Sequence, residues 1–576
     1  MQEIADRLLF WSDNKSLYMV ISLGLLSLLV ILSVLPALAI KKTESLINRI
    51  LIGESLYICS LFAFVFSSRW PSLFWYKGYS IDEDQFLSAT WTLLNDPVFF
   101  RSVEAGSSGP FNIYPMMGSI IFGVVPSLIS IRIIALGITC SFLALTYVAC
   151  RQVVVIQYAR TGMLVPVIFF GMAFYWDFSG YSSELPSILY LSGGLACAAL
   201  IFNIKSSRQF IKSVWLAFAG GLILSLVLLA KLQAVYLALL TGAVLILAIV
   251  YNSRLTPFQK YLTCSTSLAG SLFVPIVFTL IMWWCGSLNY FFNSYFLNAL
   301  AYVDAGYVNF NPFIFIWGIV QKAIDFQIIF LGWGLVMTVC LAGLIVQYIQ
   351  RKRIRGLSIF LISLVFVLLA FYTVISPRRD WPHYLLFLPV YFGVSLCLLM
   401  QILDGIAPQI RSKSLYLTFF VISFCVLPLG FYRMINSNPY VGQAHTLMPI
   451  HSSTYSPVGG AILRAASSEK SLLCVWGYNP DYHTETKLTQ STRLSISSGI
   501  FNQNNLQSFF QETYVKDILQ AKPEIFVDAT ATNQFPALND PLKYRHEVIP
   551  EIRDFVALNY TLFDTIDGVR IYRWKQ

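Results

Sequence analysis

Residues 213–250 read SVWLAFAGGLILSLVLLAKLQAVYLALLTGAVLILAIV, two apolar runs at 213–230 and 234–250 parted by Lys231. Each is of the length, about 17–25 residues, that carries a helix across a hydrocarbon core. Only a helix or a closed barrel satisfies its own backbone in lipid, so the stretch reads as a helical hairpin with a lysine at its turn. Working outward, similar runs recur at about 17–40, 50–67, 129–149, 162–177, 186–204, 262–284, 327–348, 357–375, 383–402 and 415–431, twelve in all. The composition agrees: of 576 residues 57% are hydrophobic and only 12% charged, with a mean hydropathy of +0.66. A soluble domain carries about 25% charged residues, so a soluble enzyme and a disordered chain are both excluded. The expected fold is a polytopic α-helical membrane protein of about twelve spans. The first run follows a polar start and ends in Ala-Ile-Lys-Lys without a small-residue cleavage site, so it reads as a span and not as a cleaved signal.

The net charge of +10 invites a nucleic-acid reading until its positions are considered. Taking the loops alternately, one set holds sixteen basic residues, among them Lys41, Arg151, Lys205, Arg254 and Arg351, against the acids Glu44 and Asp404. That is the asymmetry of cytoplasmic loops, so the charge reports insertion and not a nucleic-acid partner. The opposite side then receives the segments at about 68–128 and 285–326, the loop 376–382 and the tail from about 432. The expected organisation is a transmembrane domain over 1–431 and an extracytoplasmic α/β domain over 432–576. In that tail Leu472–Trp476 and Glu524–Asp528 read as strands, with a helical stretch at about 507–520 between them. Of ten cysteines only Cys474 lies in a polar stretch, and no CxxC pair points to zinc. A bacterial inner membrane is the expected location.

The chemistry should lie outside. Ser80 followed by Glu83 has capping-box spacing, and the apolar positions Phe86, Leu87, Leu93 and Leu94 continue at helical spacing. Asp82, Glu83 and Asp84 therefore open a helix. They either complement its dipole or hold a general base beside a lipid-borne substrate. The stretch 116–125 is too short to cross and reads as an interfacial helix. Arg132, near the outer end of a span, either snorkels or is paired. Lys231 either snorkels or neutralises an anionic headgroup. Arg378 and Arg379 stand where the charge rule wants few bases, and Glu184 and Asp177 bracket a short outer loop. His445, His451, His483 and His546 are scattered through the tail, and no metal cage is legible among them.

These residues together resemble the GT-C integral-membrane glycosyltransferases, particularly the bacterial members akin to protein O-mannosyltransferases and the lipid A aminoarabinose transferase. The likeness is carried by Asp82-Glu83 with Phe86; by Pro110-Phe-Asn-Ile-Tyr114, Phe122-Gly123 and Arg132; by the small-residue helix from Gly220-Gly221 to Ala230-Lys231; by Arg379-Asp-Trp-Pro-His383-Tyr384 leading to Pro389; and by Val475-Trp-Gly-Tyr-Asn-Pro480. Two departures stand out: an extra span at 17–40, which would put the N-terminus outside, and Ser-Ser-Gly-Pro-Phe in place of a Lys-Pro-Pro form.

The resemblance implies transfer of a sugar from a polyprenyl phosphate to an acceptor on the outer side, be it a glycan, a lipid or a protein, usually with inversion, without a metal and without another cofactor. It implies Asp82 as general base, with Glu83 or Asp84 as alternates. Lys231, Arg378 and Arg379 would hold the lipid phosphate, and Tyr114 and His383 would line the sugar pocket. Arg132, Glu184 and Tyr384 complete the substrate-binding candidates. The rival class is a transporter or flippase of a lipid-linked precursor, which would show internal repeats and broken helices at mid-membrane. Here the unpaired charges gather at the outer ends of the spans. A ligase that moves a whole polysaccharide from a lipid carrier is a further rival, set apart by the acidic segment and the sizeable tail.

Overall fold

The computed structural model describes residues 14–38, 53–74, 78–173, 176–306, 311–322, pieces within 327–345, 356–406, 455–501, 504–532 and 540–575. The apolar runs fold as the helices α1 (Lys15–Leu38), α2 (Glu54–Leu73), α3 (Ile81–Asn95), α4 (Pro110–Met117), α5 (Leu128–Val153), α6 (Ile156–Met172), α7 (Glu184–Phe202), α8 (Phe210–Leu228), α9 (Val235–Val250), α10 (Pro257–Trp284), α11 (Leu357–Ile375) and α12 (Leu388–Ile406). Eight helical stretches among the described residues are long and apolar enough to cross a membrane. The run at 162–177 belongs to α6, which ends at Met172, and the run at 415–431 lies outside the described residues.

Local chemistry starts these helices where the chain turns back. Ser127 and Ser130 form a capping box at α5, and Thr256 and Gln259 another at α10, with Pro257 at its first turn. Between α8 and α10 the backbones approach closely. A Cβ on Gly221 would sit 2.1 Å from the Ser267 carbonyl, and one on Gly270 would sit 2.2 Å from that of Phe218. Small residues on both faces let two apolar helices gain contact area where lipid offers no hydrophobic drive.

At the end of the bundle that faces the tail, α3 and α4 lie against the spanning helices. After α4 a short 3-10 turn, Gly118–Phe122, leaves Ile121 and Phe122 exposed. The tail carries a five-stranded sheet of β1 (Leu472–Trp476), β2 (Thr489–Gln490), β3 (Ile525–Asp528), β4 (Tyr560–Ile566) and β5 (Val569–Trp574). Its order is β2-β1-β3-β5-β4, with β1 parallel to β2 and β3, and β5 antiparallel to β3 and β4. The two strands and the helix read from the tail sequence fall at β1, β3 and Gln507–Ala521. The tail docks on α3: Ser88 donates to the Gln490 side chain at 2.8 Å, Asn95 to Thr489 at 3.0 Å, and Glu104 N–H to the Arg493 carbonyl at 2.7 Å.

Candidate active site

A cavity of about 1770 Å³ lies between the tail and the ends of the bundle that face it. Asp82, Asp84, Lys231, Arg379, His383 and Tyr384 all line it.

The acidic turn is built from its caps. Ser80 Oγ accepts the Glu83 N–H at 3.2 Å, as the sequence spacing predicts, but the Glu83 side chain does not close an ordinary box on Ser80. It accepts Tyr79 N–H at 2.8 Å and Tyr181 N–H at 3.0 Å, and pairs with Arg132 at 2.9 and 2.7 Å. Both partners of that pair are fully buried, and the guanidinium also lies 4.2 Å from the centre of the Tyr79 ring. Four donors fill the Glu83 carboxylate, so its chemistry is to fix the start of α3 against α5 and the 180–183 loop.

Fixing Glu83 aims its neighbours. Asp82 turns into the cavity, and no hydrogen bond from a described residue reaches its carboxylate. Burial raises its pKa above the usual carboxylate range. His383 and Lys231 pull it back, and Glu184 and Asp177 push it up again. Asp84 faces the tail. Its pKa is raised well above the ordinary value by burial, and next by the Asp481 carboxylate, while Thr484 donates its hydroxyl to the Asp84 carbonyl at 3.3 Å.

Lys231 follows α8 in a turn clamped by α4. The Ala230 carbonyl accepts Gly109 N–H at 2.8 Å and the Asn112 side chain at 2.7 Å. Position 109 has to be glycine, because a Cβ there would meet the Leu229 carbonyl at 2.1 Å. The ammonium so placed pairs with the buried Glu184 at 3.1 Å and donates to Ser183 at 2.7 Å. It is therefore a neutralised pair with one face on the cavity. His383 Nδ1 lies 3.4 Å from Asp177, between the Trp381 and Tyr384 rings. Arg379 lies over the Tyr302 ring at 4.7 Å and donates to the Tyr302 carbonyl at 3.4 Å, while its buried Nε has no hydrogen-bond partner among the described residues.

Several sequence candidates lie elsewhere. Tyr114 is outside the cavity, its hydroxyl donating to the Pro97 carbonyl at 3.1 Å. Glu83 and Arg132 are the buried pair behind the wall, and Glu184 stands behind Lys231. Arg378 is exposed and does not line the cavity, and its φ of +52° turns the chain so that Arg379 does. Conversely, sequence reasoning passed over Glu104 and Tyr302, and it quoted Tyr478 only within the Val475–Pro480 element without a site role; all three are in the wall. Burial pushes Glu104 up to about 8, against a hydrogen bond donated by Tyr290 and the nearby Arg493. No motif surrounds Glu104 or Tyr302; with Tyr478 they come to one wall only when the segment after α3, the 285–306 segment and the tail meet.

In the tail, Asp528, His546 and Glu547 lie close enough together to share a metal ion. The Arg570 guanidinium already holds Glu547 at 2.6 and 2.8 Å and Asp528 at 2.7 Å, supplying the charge that a cation would bring.

No protein-family model matches the sequence, and no curated protein matches it significantly. Among solved structures the chain is similar to ArnT from Cupriavidus metallidurans, in crystal structures bound to undecaprenyl phosphate and in the apo state. Each superposes with a TM-score of 0.53 and 12% identity over 90% of this chain and 98% of that one. A looser overlap, TM-score 0.41 at 12% identity over 92% of this chain and 75% of the other, links it to an oligosaccharyltransferase from Archaeoglobus fulgidus. At such identity the likeness to ArnT is one of architecture: this is a polytopic helical membrane protein of the GT-C fold with a small sheet-bearing C-terminal region.

Proposed function

We propose that the protein is a membrane glycosyltransferase that moves a sugar from a polyprenyl-phosphate donor to an extracytoplasmic acceptor, with inversion and with Asp82 as general base. The observation that carries this reading is the presence, in one cavity, of a carboxylate and a guanidinium Nε that no described residue hydrogen-bonds. A base and an anion-binding group, both left open, are what displacement of a phosphate by an alcohol requires. The ArnT structure with undecaprenyl phosphate supports a polyprenyl carrier.

In this mechanism the acceptor hydroxyl oxygen attacks the anomeric carbon from the face opposite the phosphate. Its proton passes to an Asp82 oxygen as the new C–O bond forms. The bond from the anomeric carbon to the phosphate oxygen breaks, and its electron pair leaves with the lipid phosphate. Arg379 stabilises the growing charge directly, and Lys231 adds to it from its pair with Glu184. His383, oriented by Asp177, and Tyr384 contact the sugar. Glu83 and Arg132 position the base without touching substrate. The membrane domain extends to about 431, and the tail from 432 lies outside the cytoplasm, as the loop charges indicate.

The test is transfer of radiolabelled sugars from a panel of polyprenyl-phosphate donors in membranes carrying wild-type protein or Asp82→Asn. Transfer by the wild type that the variant loses while remaining folded supports the reading. No transfer or donor hydrolysis with any sugar, or an unimpaired variant, overturns it.

A further inference from the structure

The tail meets the cavity through one particular edge of its sheet. From β1 the chain runs out to β2 and then crosses back over β1 to β3, so the carboxyl ends of β1 and β3 flank a topological switch point. Open α/β sheets hold ligands in the crevice at that point. Here β1 leaves through Gly477, whose φ of +132° suits glycine, into Tyr478 and the short helix Asp481–Thr486. Tyr478, Asp481 and Tyr482 line the cavity, and Tyr478 stands within the field of Asp82. The crevice thus opens into the same cavity as Asp82.

Its charge states what it can hold. Among the described residues the cavity wall carries seven acidic side chains against Lys231, Arg379, Lys487 and His383; Lys231 and Arg379 lie toward the phosphate end, which leaves Lys487 as the one described lysine or arginine on the tail side. A phosphate or carboxylate group here would be buried against the carboxyl groups of Asp481, Glu485 and Asp567. Sugar hydroxyls instead find carboxylate oxygens as acceptors and tyrosine rings as apolar platforms. Asp84, whose pKa is raised well above the ordinary value by burial and next by Asp481, lines the same wall. At about 1770 Å³ the cavity exceeds the usual pocket of about 300–1,000 Å³ and has room for more than the donor sugar.

We propose that the crevice at the carboxyl ends of β1 and β3 is the acceptor site, and that its ligand is an uncharged, hydroxyl-rich glycan. The word acceptor rests on the transferase reading; the glycan site does not. The full-length protein in nanodiscs is incubated with immobilised neutral manno-, gluco- and galacto-oligosaccharides, and with the same backbones bearing phosphate or uronic acid. A neutral glycan is retained at least about tenfold more tightly than its anionic forms. Tyr478→Ala and Asp481→Lys each weaken it by about tenfold or more, whereas Tyr478→Phe, which keeps the ring, stays within about threefold of wild type. Preference for an anionic glycan, no retained glycan, or variants that bind like wild type overturns the proposal. Donor hydrolysis by the same preparation separates the two readings: glycan bound without any hydrolysis or transfer sinks the transferase alone, and polyprenyl phosphate released without glycan binding sinks the acceptor site alone.

Discussion

Two clusters in this molecule contain the same ingredients, carboxylates with a histidine and an arginine, and they are wired in opposite ways. In the tail every strong group is answered: Asp528 receives Thr530 at 2.5 Å, His546 at 2.6 Å and Arg570 at 2.7 Å, and Arg570 also grips Glu547. Burial alone would raise the Asp528 pKa, yet hydrogen bonds from His546, Thr530 and Arg570 hold it well below the usual carboxylate range. In the cavity, Asp82 has no such donor among the described residues, His383 stands 3.4 Å from Asp177, and Arg379 Nε is unsatisfied. A saturated network rigidifies, whereas open valence in a cavity costs stability and so marks chemistry.

The largest effect tests the open cluster. Asp82→Asn keeps size and removes the base, so kcat/KM for transfer should fall by about 10²–10⁴-fold. A loss smaller than about tenfold would make the two clusters alike after all. Because its pKa is raised, Asp82 takes up a proton at a higher pH than an exposed aspartate does. Wild-type transfer should therefore decline on acidification while ordinary carboxylates are still ionised. A flat profile down to about pH 4 would contradict this assignment.

Next in size is the pair behind the wall. Arg132→Met leaves the Glu83 carboxyl group buried without its ion-pair partner, at a cost of about 3–5 kcal/mol, visible as lost melting temperature and yield in detergent. Changing both, Glu83→Leu with Arg132→Met, should recover part of that stability without recovering transfer, since Asp82 would lose its orientation. Recovery of both would mean that the pair does not aim the base.

Much of this was legible in the sequence, for identifiable reasons. Apolar length dictates spans, and the Ser80–Glu83 spacing dictates where α3 begins, so the acidic turn could be located before its surroundings were known. Which acid faces the cavity could not be read, because three adjacent residues point three ways, and Arg132, 49 positions away from Glu83, decides the matter. Likewise Lys231 is evident as a lysine between apolar runs, but its neutralisation by Glu184 is a tertiary fact. The Asp528 cluster was invisible, since its members come from β3, the 546–548 turn and β5.

A smaller effect tests the closed cluster. Asp528→Asn weakens hydrogen bonds to His546 and to the Arg570 guanidinium and should cost about 1–3 kcal/mol. Transfer per folded molecule should stay unchanged, because Asp528 does not line the cavity. In the wild type this contribution is present at neutral pH and is lost only as pH falls through the depressed pKa. If Asp528→Asn abolishes transfer in a protein that still melts cooperatively, the closed cluster is functional and the contrast fails.

The smallest effect is one of slope, at Glu104, which belongs to neither extreme: it is buried, accepts the Tyr290 hydroxyl, and titrates near about 8. The unfolded chain ionises it near about 4.3. Between those values the folded protein therefore binds a proton that the unfolded chain has released, and stability falls as pH rises, flattening above the folded value. Glu104→Gln carries the proton's equivalent permanently and keeps a hydrogen-bonding partner for Tyr290. Its melting temperature should match wild type near pH 5 and exceed it by a few degrees near pH 8. Parallel curves for the two proteins across that range would show that water reaches Glu104 and that this part of the wall is not closed by the tail.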